Sequence, residues 1–163
     1  HPSEGTGPLR TAFDGWAPGV QRLLECIDPA RSLNRVEIWD ITPFHTWAKG
    51  RVAILGDAAH NTAPDIGQGA CSALEDSFAL GIAFATNTVS VEDTLRRYER
   101  IRSQRAGELV LRARKRGHET HAYDPDATDA WYESLRGADG VGIIRGIVGN
   151  IDGSPVELGA ALL

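Results

Sequence analysis

Apolar residues recur at three- and four-residue spacing between Leu9 and Ile27 (Phe13, Trp16, Val20, Leu23, Leu24, Ile27). That period predicts a helix facing a core. Pro18 should break or restart it, because proline lacks an N–H and its ring clashes with the preceding turn; Asp28-Pro29 should end it. The period then changes to two. Arg35 to Ile41 alternates apolar and polar residues and is rich in β-branched types, which predicts a half-buried strand closed by Pro43. Lys49-Gly50 reads as a turn. After it, Arg51-Val52-Ala53-Ile54-Leu55 reads as a short central strand, buried on both faces of a parallel or mixed sheet.

Helical spacing returns from Gly67 to Ala85, with Ala70, Cys71, Leu74, Phe78, Gly81, Ile82 and Ala85 along one broad face expected to pack on a neighbour. Asn87-Thr88 is a stop. Ser90 should cap a second long helix, Val91 to about Gly117, with Glu92 and Asp93 in its first turn and bases in its last. Each charge so placed contributes about 0.3–1 kcal/mol through the helix dipole. Asp124-Pro125-Asp126 predicts a turn and cap for a short helix over Thr128–Leu135, which 136–140 breaks. Val141 to Val148 is apolar but interrupted by glycine, and fits a helix or a strand. The tail 150–163 is expected to fray. No internal repeat or low-complexity tract is visible.

Composition changes the picture in three places. At 163 residues and 42% apolar content the chain can bury a core, and no apolar run reaches the roughly 20 residues of a bilayer-spanning helix. The net charge of −5 conceals a basic stretch from 91 to 116: Arg96, Arg97, Arg100, Arg102, Arg105, Arg112, Arg114, Lys115 and Arg116 against Glu92, Asp93, Glu99 and Glu108. Without interleaved aromatics, in an acidic protein, this predicts a solvated helix that pairs with acidic surface elsewhere, not a nucleic-acid site. Cys26 and Cys71 lie far apart in the chain, are expected to be small buried filler, and suggest a reduced, cytoplasmic setting. No export leader is visible. Methionine is absent and His1-Pro2-Ser3-Glu4-Gly5 reads like the middle of a loop, so a piece of a longer polypeptide is expected.

The candidate chemistry lies between the predicted central strand and the helix after it. Gly56-Asp57-Ala58-Ala59-His60 ends the strand, Pro64 follows, and Gly67-Gln68-Gly69 opens the helix. A carboxylate at such a strand end faces the usual ligand edge of an α/β sheet and can accept hydrogen bonds from a polyol; a capping or turn role for Asp57 is equally open. Unpaired N–H groups at the helix start suit an oxygen that gains negative charge. Other arrangements are incomplete. Asp57-x-x-His60 and His118-x-x-His121 lack further metal ligands. Ser72, His60 and Asp57 lack a Gly-x-Ser-x-Gly elbow, and no Gly-x-Gly-x-x-Gly is present to hold a dinucleotide pyrophosphate.

Taken as an ordered set, Gly56-Asp57-Ala58-Ala59-His60, Pro64, Gly67-Gln68-Gly69 and Glu75-Asp76 resemble the C-terminal flavin-contact motif of the FAD-dependent aromatic hydroxylases, the class A flavoprotein monooxygenases. Ser77 departs from the family's usual alanine. The lead-in Trp47-x-x-Gly50-Arg51-Val52 and the later Tyr98-Glu99-x-x-Arg102 also fit. More narrowly, Asn34-Arg35-Val36-Glu37-Ile38, Thr62 to Gly69, Ala113-Arg114-Lys115-Arg116, Trp131-Tyr132-Glu133 and Ile143-Ile144-x-Gly146-Ile147 resemble the FAD-dependent urate hydroxylases.

The resemblance implies an α/β fragment. Strands from a mixed sheet and long C-terminal helices would form part of a FAD/NAD(P)-binding, glutathione-reductase-like fold lacking its N-terminal Rossmann half. It implies the end of a substrate-binding domain over 1–46, the C-terminal part of a FAD-binding domain over 47–116, and a C-terminal helical segment and tail over 117–163. Asp57 would bind the ribityl or pyrophosphate region of FAD. Gly67, Gln68, Gly69, Ala70 and Cys71 would cradle the pyrimidine edge of the flavin, where each preorganised donor is worth about 2.7–4 kcal/mol. Pro64 and Asp65 would lie on the substrate side, and His60 would be structural. The implied activity is hydroxylation of a small aromatic or purine substrate, urate favoured, with NADH or NADPH as co-substrate and O₂. No nucleic acid or membrane partner is implied, and the piece alone should be inactive. The rival readings are a salicylate-type hydroxylase and a non-catalytic helix-rich module whose exposed apolar face is a homo-oligomer interface.

Overall fold

The computed structural model describes residues 5–28, 30, 33, 36–86, 90–121 and 123–160. Its contacts divide the chain into two compact units, His1–Ile38 and Trp39–Leu163.

In the first unit Pro8 starts α1 (Gly7–Ala12) and Pro18 starts α2 (Pro18–Glu25). Proline suits a first turn because the N–H it lacks would have no helical partner there. The interruption expected at Pro18 is therefore present. Between the helices Phe13 and Trp16 meet edge to face with ring centroids 4.9 Å apart, and Gln21 Nε2 donates to the Phe13 carbonyl at 2.6 Å. The expected core-facing stripe is not: Leu24 is buried, whereas Trp16 and Leu23 are exposed. Pro29 lies outside the described residues, and α2 already ends at Glu25.

The strand expected over 35–41 is not formed. Residues 36–41 join no ladder among the described residues, Arg35 lies outside them, and Val36, Ile38 and Trp39 are exposed. The central strand over 51–55 is likewise corrected. It shrinks to β2 (Val52–Ala53), paired antiparallel with β1 (Ala48–Lys49), with Ala48 opposite Ala53 and Lys49 opposite Val52. Gly50 makes the reversal at φ 56°, a left-handed conformation that glycine adopts without steric cost. Val52 and Leu55 face solvent, so among the described residues no sheet is buried on both faces. Sequence alternation reports the propensity to pair but cannot supply the partner strand.

A short helix α3 (Asp57–His60) and a 3₁₀ turn (Pro64–Ile66) lead into α4 (Gly69–Thr86) and α5 (Val91–Thr120), the two long helices of the second unit. Ser90 caps α5, its hydroxyl accepting from the Asp93 N–H at 3.0 Å, as the sequence predicts. The core gathers Trp47, Ala59, Ala79, Ala83, Tyr98 and Ala106, with Phe44, Ile54, Leu80 and Ile101 packed around it. Alanine on both α4 and α5 lets the helices approach closely.

The α4 face is the reverse of the one expected. Ser72, Asp76, Ala79 and Ala83 are buried, while Cys71, Leu74 and Phe78 are exposed. Both cysteines are free and exposed rather than buried filler. Nor is α5 a solvated helix. It buries Tyr98, Arg102, Ala106, Leu109, Val110 and Ala113, although Arg114 does pair with Asp40, Nε to Oδ2 at 2.7 Å.

Asp124 and Asp139 cap α6 (Pro125–Arg136) and α7 (Gly140–Val148), which settles 141–148 as helix. The tail does not fray over its described part. It forms α8 (Pro155–Ala160) against α4, with Ser154 and Pro155 buried. Arg112 donates to the Gly149 carbonyl at 2.7 Å, and Arg105 donates to those of Asn150, Ile151 and Asp152. Among the described residues, no helix is long and apolar enough to cross a membrane.

Candidate functional site

The site begins where β2 runs out. Gly56 turns the chain at φ 58° and ψ −142° into α3, whose first residue, Asp57, is exposed. After the 3₁₀ turn Gly67 reverses the chain again at φ 64°, and α4 starts at Gly69. Only glycine takes such conformations at little cost. The Ser72 N–H makes an early helical bond of α4, to the Gln68 carbonyl at 2.8 Å. The amides of Gly69, Ala70 and Cys71 therefore open the helix with no acceptor in a preceding turn.

These pieces surround an open cleft of about 670 Å³ lined by Asp57, Asn61, Thr62, Pro64, Gly67, Gly69, Ala70 and Ala73. Of the residues singled out from the sequence, Asp57, Pro64, Gly67, Gly69 and Ala70 come together here. Gln68, Cys71 and Asp65 are not in the wall. The Asp65 carboxylate is instead buried against Gly117 of α5 and pairs with His121 Nε2 at 3.0 Å. The cleft thus joins one carboxylate to the positive end of an 18-residue helix.

Behind it lies a buried charge network that sequence reasoning missed. Asp76 Oδ2 accepts from the Gly56 N–H at 2.8 Å and meets His60 Nε2 at 2.7 Å. Its Oδ1 accepts from Arg102 Nε at 2.7 Å. Arg102 also donates to Glu75, to the Ser72 hydroxyl at 2.7 Å and to the Ser72 carbonyl at 3.0 Å. Arg105 grips the other side of Glu75 at 2.8 Å, and that bond raises the Arg105 pKa. Burial alone would raise the Asp76 carboxyl; hydrogen bonds from His60, Arg102 and Gly56 overcome it and hold the group below the usual carboxylate range. His60 is buried, with its ring bonded to Asp76.

The stretch Tyr98-Glu99-x-x-Arg102 has a physical reading in the same place. Tyr98 donates to the Ile54 carbonyl at 3.2 Å, and Glu99 Oε2 accepts from the N–H groups of Trp47 and Ala48 at 2.6 and 2.8 Å. Arg102 completes Asp76. Burial, then the Asp76 charge, raises the Tyr98 hydroxyl pKa, so it stays a donor. The signal available in sequence was the adjacent acid pair Glu75-Asp76 with arginines on the next helix. Among the described residues, no three His, Cys, Asp or Glu side chains gather as a metal site.

The sequence model of the family described as FAD binding domain matches residues 20–113, more than half of the chain. The chain belongs to that family. It is 60% identical over 148 residues to a FAD-dependent urate hydroxylase of Mycolicibacterium vanbaalenii, covering 91% of this chain and 37% of that protein. It is 49% identical to a FAD-dependent urate hydroxylase of Klebsiella pneumoniae, covering 91% and 38%. Among solved structures it is similar to Klebsiella pneumoniae HpxO complexed with FAD and uric acid. That match has a TM-score of 0.84 at 47% identity and covers 92% of this chain and 38% of that one. The chain therefore spans less than two-fifths of the length of these relatives. As a member of the FAD binding domain family, it places the cleft wall within the matched residues, and the Asp76 network lies there too.

Proposed function

We propose that this chain is the C-terminal part of an FAD-dependent monooxygenase that hydroxylates a small purine, with urate as substrate and NADH or NADPH as electron donor. The observation that carries the reading is the convergence of Asp57 and the open N-terminus of α4 on one cleft, in a chain 60% identical to a urate hydroxylase.

The residues present fit the cofactor. A carboxylate is the right acceptor for a polyol arm, and backbone amides are the right donors for a ring carbonyl edge that gains charge. A Cβ built on Gly69 would meet the Thr62 methyl at 3.5 Å, an ordinary van der Waals contact, so these two lining residues stand side by side in the wall. Bound FAD would carry two electrons from the nicotinamide to O₂, of which one oxygen atom goes to the substrate carbon and the other leaves as water. This chain's own residues bind and orient. Asp57 holds the sugar-alcohol arm, the Gly69 and Ala70 amides take the pyrimidine edge, and Pro64 bounds the pocket with a rigid turn. The exposed apolar face of α4 supports the view that further polypeptide completes the domain.

The test is a full-length polypeptide carrying this chain. It should purify with a flavin absorption spectrum, and urate should stimulate its NADH or NADPH oxidation more than salicylate does. A colourless protein that takes up no FAD overturns the proposal, and stimulation by salicylate but not urate overturns the substrate.

A further inference from the structure

One buried oxygen holds both ends of α3. Asp76 Oδ2 accepts from Gly56, the residue before Asp57, and bonds the ring of His60, the last residue of the helix. The carboxylate that performs this grip belongs to α4, two turns beyond the amides that line the cleft. Asp57 lies between the two gripped residues, exposed and facing the cleft.

We propose that Asp76 is a positioning residue for the flavin site, which fixes the Asp57 carboxylate relative to the amides that open α4. The inference rests on the reading of the cleft as that site. Three donors converge on Asp76, and only an ionised carboxylate accepts from all of them. An asparagine of the same shape must turn its NH₂ either on Arg102 or on the Gly56 and His60 pair. Gly56 turns the chain out of the strand at φ 58° and ψ −142°, a conformation open to glycine, and its N–H is held by the Asp76 carboxylate. Arg102 supplies the countercharge from α5 and is itself fixed by Glu75 and Ser72. The aspartate therefore stays ionised inside the protein.

The experiment is a double-mutant cycle on the full-length polypeptide, with FAD affinity read by quenching of flavin fluorescence. Asp76→Asn should weaken FAD by about tenfold, the cost of one charge-assisted hydrogen bond. Asp57→Asn should weaken it at least as much. The double variant should bind within about twofold of Asp57→Asn alone, because Asp76 acts through Asp57. Leu24→Ala, a core truncation on α2 in the other compact unit, should lower Tm while leaving FAD affinity within about twofold. Two full factors that multiply, an unchanged affinity in Asp76→Asn, or an equal loss in Leu24→Ala would each overturn the proposal. If Asp76→Asn does not fold, hydrogen exchange of the Gly56 amide in the unmutated protein decides. Exchange as slow as the buried turns of α4 and α5 supports the grip; exchange as fast as residues 61–63 overturns it. An unmutated protein that binds no FAD refutes the reading of the cleft first, and this inference with it.

Discussion

Replacing Arg102 by methionine removes the positive charge between two carboxylates while keeping most of the side-chain volume. Arg102 and Asp76 are both fully buried, and the Glu75 side chain is 11% exposed. The variant takes one donor from Asp76, which keeps Gly56 and His60, and one from Glu75, which keeps Arg105, and it removes the Arg102 bonds to the Ser72 carbonyl and hydroxyl. Removing one partner of a buried ion pair costs about 3–5 kcal/mol, because the remaining charge is desolvated and uncompensated. Against a total stability of roughly 5–15 kcal/mol this is a large loss. For a folding unit of this size it corresponds to a fall in Tm of about 10–20 °C. Circular dichroism melts at neutral pH measure that directly.

Acid unfolding adds a second readout. The folded Asp76 pKa lies below its ordinary value of 3.8. Its contribution is therefore fully present above that value and is lost as pH falls through the lowered one. Without Arg102 one of the bonds that lowers it is gone and burial still raises it, so acid unfolding should begin at higher pH. Arg102→Lys should fall between, since one ammonium cannot reach every partner. A drop in Tm of less than about 3 °C for Arg102→Met, with an unchanged acid midpoint, would refute the reasoning that these charges act as one buried unit.

Three further outcomes follow from other parts of the chain. Gly67→Ala should cost about 1–2 kcal/mol, because Gly67 sits at φ 64°; calorimetry checks the loss, and the larger effect should be on FAD binding. Ser90→Ala should destabilise by about 1 kcal/mol through loss of the α5 cap, seen as a lower denaturant midpoint with an unchanged slope. Cys26 and Cys71 should both react with a thiol reagent under native conditions in the isolated chain, because both are exposed; in a full-length polypeptide whose added segments cover α4, Cys71 should become protected.

Local chemistry was legible in the sequence wherever a short-range rule decides. Ser90 three residues before Asp93, Asp124 before Pro125, and Pro18 in the middle of a helical period each fixed an element boundary that the structure keeps. The cleft was legible for the same reason, since glycine and proline between a strand and a helix dictate how the backbone turns. Long-range partners were not. The alternation over 35–41 fits a strand, yet no strand among the described residues pairs with it, and its backbone bonds go to Asn61 instead. The tail 155–160 folds because α5 arginines collect the carbonyls before it and α4 offers a surface, and neither is visible in the tail's own residues. The Asp76 network escaped because charge on a helix reads as solvent-facing unless its partner is known. Arg102 and Asp76 stand 26 residues apart on different helices.

The inversion of α4 ties these points together. Periodicity marked Cys71, Leu74 and Phe78 as the core face, and hydrophobicity alone gives no reason to prefer the stripe of Ser72 and Asp76. The structure buries the polar stripe because α5 brings Arg102 to meet it, and a buried carboxylate with a complete donor set is no longer a penalty. The apolar stripe is then left outward, with Leu74 71% and Phe78 41% exposed. A helix with an ion-paired polar face on one side and an apolar face on the other is built to be covered on both. Contiguous exposed apolar surface marks an interaction site in a folded protein, and the relatives are more than twice as long as this chain. Polypeptide seated on Leu74 and Phe78 would close the open side of α4 and shield its N-terminal amides from water, the condition under which such donors act most strongly on a bound anionic edge. The buried acid of the same helix grips the Asp57 loop at Gly56 and His60, and its apolar face is left to solvent in this chain.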